Sequence, residues 1–177
     1  MAPAEIVVTS GAMEGINLCL QAVCKPGDIV AIESPCFYGG LQAIERLGLK
    51  VVEIPTHPRD GISLPALEAA IAQHPVKACL CMLNFQNPLG STVPDEARRE
   101  LVALLARHGI PLIEDDVYAE LYFDPKKPLP SKSLDADGLV MHVSSFAKCL
   151  APGYRVGWVA AGRFAARAGR DRRLGGQ

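Results

Sequence analysis

The sequence contains no run of about 18 apolar residues, and so no segment suited to crossing a membrane as a helix. Its opening, Met1-Ala2-Pro3-Ala4-Glu5-Ile6-Val7, has no basic stretch followed by an apolar one. No signal peptide is read there, and a soluble, cytoplasmic protein is expected. Charge of one sign is also missing. The formal net charge is -1, and no basic face stands out before the last dozen residues, which excludes a general electrostatic affinity of this chain for nucleic acid. There is no CxxC pair among the six cysteines, Cys19, Cys24, Cys36, Cys79, Cys81 and Cys149. Cys79 and Cys81 sit two apart in an apolar strand-like run, so both point to one face and suit no knuckle-type zinc site. The cysteines are read as reduced thiols packed as small hydrophobes, and no metal site is expected. Internal repeats and low-complexity segments are absent as well.

What is present is a core. At 49% hydrophobic and 21% charged residues, 177 residues are enough for one packed domain of ordinary size. Short apolar, β-branched runs alternate with helix-period stretches, the signature of an α/β domain. Strands are expected at 6–9, 29–33, 51–54, 78–83, 112–114, 140–144 and 157–160. Helices are expected at 13–23, 37–47, 64–72 and 94–108. The last of these shows an apolar stripe of Ala97, Leu101, Leu104 and Leu105, which leaves Arg98 and Arg99, like Arg46 on its own helix, to the surface. The strand runs are nearly continuous apolar segments, as a parallel sheet covered on both faces requires. Residues 124–133, rich in Pro and Lys, read as a surface loop.

Four segments fall at strand ends, where open α/β sheets collect ligands. Thr9-Ser10-Gly11-Ala12-Met13 is a small-residue turn opening a helix, able to present free N–H groups to an anion or simply to connect. In Asn84-Phe85-Gln86-Asn87-Pro88-Leu89-Gly90 an Asn before a Pro could donate to a phenolic oxygen, or serve the turn alone. Leu112-Ile113-Glu114-Asp115-Asp116-Val117-Tyr118 ends an apolar strand in three acids, which is costly unless they bind something. In the stretch from Ser144 to Trp158, Lys148 stands between Ser145 and Arg155. This is either a solvated lysine or an electropositive loop suited to phosphate.

Taken together and in this order, these motifs resemble the class I and II aminotransferases, the fold-type I pyridoxal-phosphate proteins. The wording is especially similar to the aminotransferase-like domain of MocR-type regulators. There the matching stretches are Glu33-Ser34-Pro35 with Tyr38-Gly39, Asn84-Phe85 with Asn87-Pro88-Leu89-Gly90, Glu114-Asp115-Asp116-Val117-Tyr118, and Ser144-Ser145-Phe146 with Lys148 and Leu150-Ala151-Pro152-Gly153-Tyr154-Arg155. The resemblance implies a three-layer αβα large domain with a seven-stranded, mostly parallel sheet whose last strand is antiparallel. It implies pyridoxal 5'-phosphate as cofactor, attached to Lys148, the one catalytic residue. Asp115 matches the carboxylate that pairs with the pyridine nitrogen, and Asn87 and Tyr118 match the donors to the ring's 3' oxygen. Gly11, Ala12 and Met13 supply the phosphate's helix N-terminus, Ser145 and Arg155 complete its cup, and Phe37 stacks on the ring. Asp116 is assigned a structural or capping role.

The function so implied is transamination between an amino acid and a 2-oxo acid, in a family that forms homodimers. The alternative is the effector-sensing domain of a MocR-type transcription regulator. Domain organisation is read as a large domain over 1–165, truncated at both ends relative to the family, followed by an irregular Arg/Gly-rich tail over 166–177. The family's arginine for the substrate carboxylate is expected in a C-terminal small domain, outside this stretch of sequence.

Overall fold

The computed structural model describes residues 2–174, with side chains through residue 169. In chain order it forms β1 (Ile6–Thr9), α1 (Ala12–Val23), β2 (Ile29–Ser34), α2 (Tyr38–Arg46), β3 (Lys50–His57) and β4 (Gly61–Ile62). These are followed by α3 (Leu64–Gln73), β5 (Val76–Cys81), α4 (Asp95–Arg107), β6 (Leu112–Asp115), β7 (Val140–Ser145), β8 (Gly157–Ala160) and α5 (Ala165–Leu174).

All strands join one sheet in the order β1-β8-β7-β6-β5-β2-β3-β4. The pairs from β7 through β3 are parallel, and β8 runs antiparallel to both β1 and β7. The sheet therefore has eight strands where seven were expected. The addition is β4, two residues that turn back antiparallel on the end of β3. A strand so short carries no readable alternation, and Gly61, at a φ of 76°, makes its turn.

Alternation along the central strands divides the core into two layers. Val30, Ile32, Ala78, Leu80, Ile113, Met141 and Val143 pack on one side with α1, α2 and the start of α5. Ala31, Cys79, Cys81, Leu112 and Val140 pack on the other with α3 and α4. This is the three-layer αβα arrangement, produced by period-two side chains on strands covered twice. Cys79 and Cys81 lie on one face, their sulfurs 3.3 Å apart, while Cys24 and Cys36 are half-buried and Cys149 is exposed.

The segment expected to be an irregular tail is helical as far as Leu174. Ala and Arg are strong helix formers, and α5 gains tertiary support from α1 through Ala168, buried in the core, and a hydrogen bond from Arg167 to the Ala22 carbonyl at 3.4 Å. The end of that expected tail, 175–177, lies outside the described residues.

Candidate active site

The carboxyl ends of β1, β6 and β7 and the loops after β2 and β5 surround a cavity of about 220 Å³. Every residue assigned to the cofactor from the sequence lines it except Gly11: Ala12 and Met13, Phe37, Asn87, Asp115, Tyr118, Ser145, Lys148 and Arg155. Met82, Val117, Ala147 and Pro152 complete the wall.

Gly11 works one step behind the wall. It caps α1 with a φ of 89°, and a Cβ there would run into the guanidinium of Arg155. Arg155, itself left-handed at a φ of 51°, donates from Nη2 to the Ser10 carbonyl at 3.3 Å. Across from it a Cβ on Gly157 would stand 2.7 Å from the Gly11 carbonyl carbon. Two glycines thus let β8 and the β1–α1 turn approach until an arginine covers a helix N-terminus, an arrangement suited to an anion. Ser145, buried at the end of β7, closes the same corner.

Phe37 enters from the N-cap of α2, and its ring folds back over Gly39, where a Cβ would meet Cε1 at 2.5 Å. Asn87 is delivered by a loop tied to itself and to β2. Gln86 Nε2 donates to the Pro35 carbonyl at 2.8 Å, and Gln86 Oε1 accepts from Leu89 N at 2.9 Å. Lys148, exposed on the turn after β7, places Nζ 5.7 Å from the centroid of the Tyr118 ring.

Asp115 is the buried acid of the cavity. Burial pushes its carboxyl up to about 7. The Val117 amide opposes that rise, the Asp116 charge adds to it, and His142 and Lys148 oppose it as well. Its Oδ1 is buried and has no hydrogen-bond partner. A buried carboxylate oxygen without a donor is costly, and a cationic ring N–H in the cavity would supply the missing donor. The residues present therefore fit pyridoxal phosphate, with an anion corner at one end and an unsatisfied acid at the other.

Behind the cavity lies a buried polar network. Asp116 points away from it, accepting from Asn84 Nδ2 at 2.9 Å and meeting His142 Nε2 at 2.9 Å. Arg98 was expected on a helix surface and is 2% exposed. It shares the face of Leu101 and Leu105, three and seven residues on, and its fork donates to Asn84 Oδ1 at 2.6 Å, to the Leu129 carbonyl at 2.6 Å and to Glu114 Oε1 at 3.4 Å. Glu114 also accepts from Ser131 N and Oγ, so the loop over 124–133 is pinned at one end although most of it is exposed. Glu33, 2% exposed at the end of β2, accepts from Met82 N at 2.7 Å. A lone acid within the apolar run Ile29–Ser34 was the available signal for it. A larger open groove of about 890 Å³ lies between β3, α3 and α4, with His57, Glu68 and Arg107 on its rim, and shares no residue with this site.

The chain and its fold have counterparts among known proteins. The family model described as aminotransferase class I and II matches residues 1–170. The chain is 56% identical over 165 residues to an uncharacterised HTH-type transcriptional regulator, YdcR, of Escherichia coli, covering 93% of this chain and 35% of that protein. It is 32% identical to aromatic-amino-acid aminotransferase 1 of Thermococcus litoralis, covering 89% of this chain and 39% of that protein. Among solved structures it superposes with a TM-score of 0.92, at 28% identity, on LysN, the α-aminoadipate aminotransferase of Thermus thermophilus complexed with N-(5'-phosphopyridoxyl)-L-leucine, over 99% of this chain and 46% of that one. The chain thus spans well under half the length of the relatives it matches.

Proposed function

The chain belongs to the class I and II aminotransferase family, and from that premise we propose that it is the pyridoxal-phosphate-binding large domain of an aminotransferase acting on an amino acid and a 2-oxo acid. The observation that carries the reading is Asp115: a buried carboxyl with one oxygen unpartnered, facing a cavity with an anion corner at its far side.

When bound, pyridoxal phosphate supplies an electron sink through its protonated ring nitrogen. Asp115 holds the proton at that nitrogen. Gly11, Ala12 and Met13 offer the α1 N-terminus to the phosphate, with Ser145 and Arg155 completing its charge balance. Phe37 covers one face of the ring with an apolar surface. Asn87 and Tyr118 donate to the ring's 3' oxygen. Lys148 attaches the cofactor and moves the substrate's α-proton. Among the described residues Arg155 is the arginine on the cavity wall, and it is committed to the anion corner. The anchor for a substrate α-carboxylate is therefore assigned to another part of the assembled protein.

A second reading rests on the identity with an HTH-type regulator: the same cavity would hold the cofactor as a sensed ligand, in a MocR-type effector domain. A coupled assay with 2-oxoglutarate and several amino acids, run on the whole protein loaded with cofactor, separates them. Turnover within the usual range of about 1–10³ per second supports the enzyme. Cofactor binding with an amino-acid-dependent spectral change but no 2-oxo acid product supports the sensor.

A further inference from the structure

Helix α2 carries two consecutive glycines, Gly39 and Gly40, in its first turn, and both are buried. Neither has a positive φ, so the backbone at these positions would accept any residue. Glycine is a poorer helix former than alanine, and its presence here points to a demand for space. At Gly40 the demand comes from the sheet: a Cβ there would stand 3.2 Å from Leu80 Cδ2 and 3.4 Å from Ile32 Cδ1. At Gly39 it comes from the cofactor cavity. A Cβ there would meet Phe37 Cε1 at 2.5 Å, Phe37 Cζ at 2.9 Å and Met13 Sδ at 3.2 Å. Phe37 and Met13 both line the cavity, and Gly39 stands behind them. The Phe37 ring also packs against Tyr38, with centroids 4.8 Å apart and planes tilted by 57°.

We propose that Gly39 is a positioning residue for the ring of Phe37: the missing Cβ lets that ring fold back against α2, where it forms a wall of the cavity instead of filling it. This rests on the covering of the cofactor ring by Phe37 set out above. Three demands can hold a glycine in a helix: an unusual φ, close approach of another backbone, or room for a side chain. The first is excluded by the φ value. The second is excluded because the closest atoms, apart from chain neighbours and the helix's own backbone, all belong to the side chains of Phe37 and Met13. The third remains. A methyl group at position 39 would occupy the space of the ring edge, and a ring at the end of a side chain yields more readily than a helix packed on a sheet. Tyr38 packs against the ring and Met13 borders the same spot, so the cavity that Phe37 lines is the direction left to it. The displaced ring would then stand where the cofactor ring is to lie.

The test is a double-mutant cycle on the whole protein with Gly39→Ala, Phe37→Ala and both together, read by pyridoxal phosphate titration. Gly39→Ala should weaken the dissociation constant by about tenfold, the scale of an overpacked contact. In the Phe37→Ala background the same substitution should change it by less than about threefold, because no ring is left to displace. The melting temperature of the cofactor-free protein should not fall in Gly39→Ala, since alanine is the better helix residue. At saturating cofactor, the visible circular dichroism of Gly39→Ala should differ from that of the wild type, reporting an altered ring setting. Unchanged cofactor affinity in Gly39→Ala beside a loss in Phe37→Ala overturns the proposal and leaves Phe37 in its role. Equal losses from Gly39→Ala in the two backgrounds, or a lower melting temperature with unchanged dichroism, also overturn it, because the methyl group would then act on the fold and not through the ring. Unchanged affinity in Phe37→Ala would instead refute the covering role of Phe37, on which the proposal rests.

Discussion

His142 Nε2 and Asp116 Oδ2 stand 2.9 Å apart in the protein interior, one on β7 and the other at the first residue after β6. Asp116 also accepts from Asn84 Nδ2, its backbone N–H donates to the Val143 carbonyl at 2.9 Å, and its carbonyl accepts from Ser144 Oγ at 3.1 Å. Every polar group of this residue is thus tied to a neighbouring strand or loop. Successive side chains along an extended segment point to opposite sides. Fixing Asp116 on one side therefore aims Asp115 into the cavity on the other.

The two adjacent acids should consequently fail in different ways when removed. Asp115→Ala should weaken pyridoxal phosphate retention by roughly 2–5 kcal/mol, the scale for stripping one partner from a buried charge pair. Asp116→Ala should weaken it less while lowering thermal stability more, because it strands His142 and Asn84. Paired cofactor titrations and melting curves give the comparison. Equal losses of cofactor affinity would shift the assignment by one residue.

Arg98 is the hub of the buried network, and its fork cannot be copied by a shorter set of donors. Arg98→Met should destabilise the fold by about 3–5 kcal/mol, since Glu114 would be left buried without its countercharge. Arg98→Lys should recover only part of this, because one ammonium cannot reach Asn84, Leu129 and Glu114 together. Adding Glu114→Gln to Arg98→Met should restore stability relative to the single variant. Urea unfolding measures all three.

The pH dependence of stability follows from acids held above their ordinary values. Glu33 moves from 4.5 to about 8 and Asp115 from 3.8 to about 7, and burial moves Glu114 in the same direction. Burial pulls the His142 imidazolium down, but the hydrogen bond with Asp116 and the surrounding acid charges outweigh it and raise the group. In each case the folded state binds protons more tightly than the unfolded one, so the linked stability is full below the unfolded values and is lost as pH rises through the folded ones. The cofactor-free protein should lose melting temperature between about pH 5 and 8, and Glu33→Gln should flatten that slope. A melting temperature that rises across this window in the wild type, or the same slope in the variant, contradicts the assignment.

Gly11→Ala tests the anion corner without removing a charged group. The substitution imposes a left-handed φ on a residue with a Cβ, at a cost of about 1–3 kcal/mol, and pushes the Arg155 guanidinium aside. Affinity for pyridoxal phosphate should fall by more than affinity for pyridoxal, which lacks the phosphate. Equal losses for the two ligands would place the phosphate elsewhere.

The strand and helix runs were legible from spacing, and the roles of the site residues from the family resemblance. The strand runs at 6–9 and 157–160 match β1 and β8, and the strand-end motifs meet in one cavity because a doubly covered sheet brings its carboxyl ends to one edge. What stayed hidden depends on tertiary partners. Arg98 looks like a surface arginine until the helix face it shares with Leu101 and Leu105 is turned to the core. Glu33 stands within a sequence motif, yet its unpartnered oxygen appears only when β2 and β6 are placed beside β5. The tail after Ala165 showed little apolar patterning, and its helix takes its support from α1, far away in sequence.

The central claim is that Lys148 carries the cofactor. Borohydride reduction of the protein mixed with pyridoxal phosphate, followed by peptide mass mapping, tests it directly. The cofactor's mass should be fixed to the peptide containing Lys148 and should vanish in Lys148→Ala. Fixation on another lysine, with Lys148 unmodified, would contradict the account.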